Sequence, residues 1–250
     1  MQAALLKILL MHRLPRTACI NKSLPNISAS KISHHFPAMD EQVIRSLMKW
    51  PNVPACYGWL ALDRRGQWRM RDEFAQQNNL SGTVIVHQAL NEFISRNYAC
   101  DTEGRYFFQN GPQRVFITLD ATPWIVRIIP DDQGVKLFTQ CQSSIEPSAA
   151  LSDENGNIYI VGKISQVIYE NLNQAMQTNF STQEKESVAL LHDHDLELFS
   201  ELATLREEAC SFGGSWSWHN KQLPLDPIHS SELAERFHFM TKPRAEQKPI

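Results

Sequence analysis

RYFFQNGPQRVFITLDATPWIVRII, residues Arg105–Ile129, crowds aromatic and β-branched side chains around an Asn-Gly-Pro turn. Such runs favour strands, and Asn, Gly and Pro favour the turns between them. The spacing predicts strands over Tyr106–Gln109, Arg114–Leu119 and Trp124–Ile129. In the second, Val115, Ile117 and Leu119 share one face, with Arg114, Phe116 and Thr118 on the other. Asn110-Gly111 suits a type I′ turn because both residues tolerate positive φ. Pro112 would then stand where the closing N–H is needed, and proline has none. A wider loop that draws in Gln113 is therefore expected.

Upstream, MDEQVIRSLMKW (39–50) reads as a short amphipathic helix, with acids in its first turn and Val43, Ile44, Leu47 and Met48 at helical spacing. YGWLALDRRGQWRMRDE (57–73) is a hairpin candidate. A two-residue turn at Arg64-Arg65 would set Trp59 against Met70 and Ala61 against Trp68 on one apolar face. A helix is predicted from Val86 to Tyr98. Downstream, Val135–Gln140 and Asn157–Val161 read as strands, and residues 143–156 as a loop. Residues 163–180 mix both periods and stay unassigned.

Residues 181–212 read as helix, with Leu196, Phe199, Leu202 and Leu205 along one face, ended by Gly213-Gly214. Trp216 and Trp218 read as an edge strand tucked under the sheet, and Ser231–Phe239 as a last short helix. There are no internal repeats. The pattern predicts one α+β domain over residues 40–243, an antiparallel sheet of hairpins with helices packed on it, followed by a tail at 244–250.

Hydrophobic content of 42% with 20% charged residues is that of a globular chain. Residues 1–39 hold Lys7, Arg13, Arg16, Lys22 and Lys31 and no acid, so the net charge of −3 leaves −8 for residues 40–250. An acidic body argues against nucleic acid as a partner. The basic, serine-containing start has the composition of a targeting segment, but residues 1–39 are read as a disordered or non-native extension, with the domain opening at Met39. No stretch approaches the roughly 20 apolar residues of a membrane span. Cys19, Cys56, Cys100, Cys141 and Cys210 are odd in number, far apart and without a C-x-x-C pair, which favours a reducing cytoplasm.

KWPNVPACYGWLALDRRGQWR (49–69) and NGPQRVFITLDATPW (110–124) resemble a family of uncharacterised proteobacterial proteins, a domain of unknown function, from about Met39 to the last helix. The resemblance implies a bacterial cytoplasmic setting and carries over no activity, cofactor or catalytic residue. A helix followed by residues 101–117 and then Thr-Pro-Trp is also similar to a second uncharacterised bacterial family with a β-rich core.

The candidate site is the hairpin tip, Asn110 and Gln113 beside Arg114, where a forked guanidinium suits a carboxylate or phosphate. Arg64 and Arg127 would complete a small-molecule site if they converged on it. The bland reading is a polar sheet end that satisfies itself. DRRGQWRMR (63–71) interleaves arginines with Trp68, yet Asp63, Asp72 and Glu73 offset them and Trp68 has a place in the core, so it reads as structural. HDHD (192–195) carries metal-capable groups, but on a helix imidazoles at i and i+2 diverge by about 200°. No metal and no cofactor are expected. Cys56 and Cys100 show no nucleophile signature, and no phosphate loop, dinucleotide fingerprint or nucleophile elbow is present. The leading expectation is a cytoplasmic non-enzymatic binding or scaffolding protein. The alternatives are a sensor or carrier of a small anionic ligand, and an enzyme whose acid–base pair comes from distant positions.

Overall fold

The computed structural model describes residues 39–131, 134–170, 179–207 and 212–245. The predicted extension before Met39 and the tail beyond Ala245 lie outside the described residues, as do Cys19 and Cys210. The three strands around the Asn-Gly-Pro turn are β5 (Tyr106–Asn110), β6 (Gln113–Leu119) and β7 (Trp124–Asp131). The turn between β5 and β6 differs from expectation. Asn110 opposes Gln113, so Gly111-Pro112 alone make the bend. Gly111 takes φ 56°, and Pro112 follows it at a place that needs no N–H. Shifting the turn by one residue removes the conflict that called for a wider loop.

The other strands are β1 (Cys56–Leu62), β2 (Trp68–Met70), β3 (Thr83–Val84), β4 (Tyr98–Asp101), β8 (Gly134–Thr139), β9 (Ile145–Ser152) and β10 (Ile158–Glu170). They continue as β11 (Asn179–Leu191), β12 (Ala203–Glu207), β13 (Phe212–Trp218) and β14 (Lys221–Pro227). The helices are α1 (Glu41–Lys49), α2 (Glu73–Gln77), α3 (Gln88–Arg96), α4 (Leu196–Leu202) and α5 (Leu233–Arg236). The fourteen described strands form one sheet ordered β12-β13-β14-β9-β10-β4-β5-β6-β1-β2-β3, with β11 bridging β10 to β7 and β8 beyond β7.

The expected antiparallel sheet carrying packed helices is thereby overturned. Among the described residues the sheet is mixed, and the helices are short additions to it. Four pairings are parallel: β1 with β6, β4 with β10, β7 with β11 and β9 with β14. The antiparallel pairs all join strands consecutive in the chain, whereas the parallel pairs join strands that are not. Turn chemistry writes hairpins into a sequence, but the way hairpins dock on one another leaves no local mark.

Three further expectations fail for related reasons. Residues 145–152, read as loop, form β9. Residues 181–191, read as helix, belong to β11, which follows β10 from Tyr159↔Leu190 to Glu170↔Asn179. Glu184, Lys185 and Glu186 favour a helix in isolation, and ladder pairing overrides that preference. In the first hairpin Leu60 faces Met70 and Leu62 faces Trp68, one residue away from the predicted register. That shift moves Leu60 and Leu62 onto the buried face with Trp68.

The register follows from a turn used three times, which the sequence reading missed. In Asp63–Gln67, Asp101–Arg105 and Asp153–Asn157 the pattern is D-x-x-G-x between consecutive strands. The Asp Oδ1 accepts the N–H groups two and four residues on, at 2.9–3.1 Å. The Gly N–H donates to the Asp carbonyl, and the Asp N–H donates to the carbonyl of the fifth residue. Each glycine has φ between 74° and 77°, which any side chain would strain. The Asp Oδ2 accepts from Arg69 Nε, from Arg105 Nε, and from Asn157 Nδ2 with the Tyr159 hydroxyl.

Both sheet faces are covered near β4, β5 and β6. The larger core takes Tyr98, Tyr106, Phe108, Val115, Ile117 and Ile164, among others. A smaller one on the opposite face joins Ala99, Phe107, Phe116 and Val167 to Met39 and Val43 at α1. The predicted alternation along β6 matches this division. Trp216 and Trp218 are buried as expected, although β13 is flanked on both sides.

Candidate binding site

On the α1 side of the sheet, alternation along the β5–β6 hairpin presents Phe107, Gln109, Arg114 and Phe116. Arg114 Cζ lies 4.4 Å from the Phe107 ring centroid and 3.9 Å from that of Tyr169 in β10. Its Nε is buried without a hydrogen-bond partner, and no ion pair to it occurs among the described residues. Gln109, directly opposite, is fully buried. Its Nε2 donates to Gly111 O at 2.8 Å, while its Oε1 has no partner. An unmet donor and an unmet acceptor thus sit on opposed residues of one strand pair. Burying such groups unpaired costs roughly 1–3 kcal/mol each.

The tip lies against α1, because a Cβ placed on Gly111 would stand 3.8 Å from Ser46 Cβ. The outer side of α1 lines an open depression of about 480 Å³ with Gln42, Arg45, Ser46, Lys49 and Trp50. There Lys49 Nζ sits 4.5 Å from the Trp50 ring centroid. Gln113 Nε2 donates to Pro54 O at 3.2 Å, which ties the tip to the segment before β1. Asn110 is half-buried beside it.

Arg64 and Arg127 are not brought to this tip. Leu62 opposes Leu119, so the turn carrying Arg64 follows the far end of β6, roughly 20 Å away at about 3.3 Å per residue. Arg64 Nη2 donates to Asn157 Oδ1 at 2.6 Å. Arg127 holds Asp195 through two bonds of 2.6 and 3.0 Å, and Asp195 also accepts the Ile128 N–H. Arg65 holds Asp193 in the same segment. In DRRGQWRMR, Trp68 is buried and Arg69 and Arg71 bond to Asp63 and to backbone carbonyls. That stretch is architecture.

The segment 192–195 is the place the sequence reading misjudged. It is a short 3₁₀ turn preceded by an extended His192, with φ −61° and ψ 138°. The helical projection that drove the two imidazoles apart does not apply, and their ring centroids lie 4.8 Å apart. The cue was the D-L-E-L run after His194, which places the helix start later. Burial lowers the His192 pKa, with Arg127 adding to the effect. Cys100 is pushed up to about 12 by burial, so it supplies no thiolate.

A family model described as "Protein of unknown function (DUF2946)", under the name DUF2944, matches residues 39–244. The chain belongs to that family. The match begins at Met39, the first described residue, and spans the described sheet and the five described helices. No curated protein matches the chain. Among solved structures, the DUF2944 chain is similar to a DUF1285 family protein from Silicibacter pomeroyi DSS-3, at 17% identity with a TM-score of 0.36. That likeness covers 78% of this chain and 90% of the other.

Proposed function

We propose that this DUF2944 protein is a cytoplasmic, non-enzymatic binding protein that holds an acidic group at Arg114. One observation carries the reading. Arg114 is half-buried, in the corner formed by the perpendicular rings of Phe107 and Tyr169, and free of any carboxylate among the described residues. Arg64, Arg65, Arg69 and Arg127 are each bonded to a named side chain. The two aromatic contacts restrict the guanidinium, so less freedom is lost when a planar carboxylate or a phosphate binds it. Gln109 Oε1 beside it would take a donor from the same ligand. The free thiols of Cys56, Cys100 and Cys141 fit a reducing compartment, and no described helix is long and apolar enough to cross a membrane.

Native mass spectrometry of the gently purified chain tests the reading. The expected result is an added mass of a few hundred daltons that survives desalting and is lost in Arg114→Ala, with Arg114→Lys intermediate. Loss of one charge-assisted contact of about 1.5–3 kcal/mol corresponds to roughly 10- to 100-fold in affinity. A bare wild-type chain, or an adduct indifferent to both substitutions, overturns it. A scaffolding role has its own support at the C-terminal end of α1, where Met48 and the following Trp50 are at least half exposed. It predicts a protein-sized addition that is lost in Trp50→Ala.

A further inference from the structure

We infer that His192, Asp193 and His194 form a surface site for a borderline divalent transition metal such as Zn²⁺ or Co²⁺. The inference is independent of the reading of Arg114, because the segment lies at the other end of the sheet's β6 strand, against the turn that carries Arg65. His192 Nδ1 is 2.9 Å from Asp193 Oδ1, and His194 Nε2 is 4.0 Å from that oxygen. One ligand atom from each residue falls within 4.8 Å of the others. Donors bound to one ion at about 2.1 Å stand no more than about 4.2 Å apart. The two contacts to Asp193 already meet that limit. The third is met if the His194 ring, 66% exposed, swings by less than an ångström.

The hydrogen bonding around His192 points the same way. Its Nδ1 accepts the His194 N–H at 3.1 Å while also facing Asp193 Oδ1. With Nδ1 unprotonated, it and the Asp193 carboxylate oxygen are two donors 2.9 Å apart, a spacing that one shared cation fits. Binding would exchange the His194 N–H contact for the ion. The segment is also fixed in place: His192 is buried, and Asp195 is anchored by Arg127 and the Ile128 N–H. Two imidazoles and one carboxylate suit zinc and cobalt, and leave coordination positions for water or an added ligand.

Arg65 opposes the ion. It holds Asp193 Oδ2 at 2.7 Å, although both side chains of this pair are about half exposed and such pairs are weak. Its removal should therefore strengthen binding, a sign that an adventitious surface site would not show.

The test titrates CoCl₂, and then competing ZnCl₂, into the full chain, read by visible d–d absorption and calorimetry. The expected result is one equivalent of Co²⁺ displaced by Zn²⁺. Affinity should fall at least tenfold in His194→Ala and Asp193→Asn, and rise in Arg65→Ala. His194 is exposed, so its substitution leaves the fold intact even if His192→Ala does not. No binding, or binding unchanged in His194→Ala, overturns the inference; the latter would place the ion on other histidines of the chain.

Discussion

Gly104 and Gly156 occupy the same place in two copies of the D-x-x-G-x turn, with φ of 74° and 77°. Their surroundings differ. A Cβ on Gly104 would meet the His238 carbonyl oxygen at 2.3 Å, whereas one on Gly156 has nothing within 4 Å. Gly156→Ala should cost only the left-handed backbone penalty, about 1 kcal/mol. Gly104→Ala should cost about 3 kcal/mol or more, because it also expels the chain that bonds Met240 N–H to Gly104 O. Urea denaturation of the two variants checks the difference, and equal losses would refute the account. Arg127→Ala belongs to the same scale. It removes one bidentate partner of Asp195, whose side chain is buried, so about 1–3 kcal/mol should be lost, discounted because Arg127 itself is half exposed. A variant of unchanged stability would return Arg127 to the list of free ligand-binding cations. Both effects turn on neighbours distant in sequence, so the turn glycines were visible in the chain while their unequal importance was not.

At the level of elements, short ties fasten the small helices to the sheet. Glu154 of the third D-x-x-G-x turn accepts the Ser230 N–H and hydroxyl at the start of the segment leading to α5. These bonds lower its pKa to about 2. A carboxylate depressed on folding stabilises the native state above its unfolded value of about 4.3, and the contribution is lost as pH falls through the folded value. An NMR titration should therefore place the Glu154 midpoint near 2, and Ser230→Ala should raise it towards the ordinary value. A wild-type midpoint near 4 would mean that the tie does not persist in solution. The hairpins around Asn110-Gly111-Pro112 and Asp63–Gln67 were recognisable from turn residues and alternation. Their registers were not, because a one-residue choice of turn type reverses every side chain that follows. The candidate site shared that fate. Arg114 and the tip residues were identifiable as a polar cluster, but the ring contact with Tyr169 comes from a strand 55 positions on. His192 and His194 looked divergent only while a helix was assumed.

For the molecule as a whole, β10 is the hub, paired with β9 and β4 along one edge and β11 along the other. Native-state hydrogen exchange should find the slowest amides in β10, β4 and β5. The fastest should be in β3 and in the exposed first half of β11, whose outer edge carries polar side chains. Uniform protection across the sheet would argue against this hierarchy. By itself the sequence determined the consecutive hairpins, the two-faced alternation of β6 and the family resemblance, since these rest on side-chain period and turn chemistry within a few residues. Only the tertiary structure decided that four pairings run parallel, that residues 181–191 are strand, and which arginines remain unpaired. Such pairings gain their energy from burying whole strands against distant partners, and that gain exceeds local preferences of a few tenths of a kcal/mol per residue.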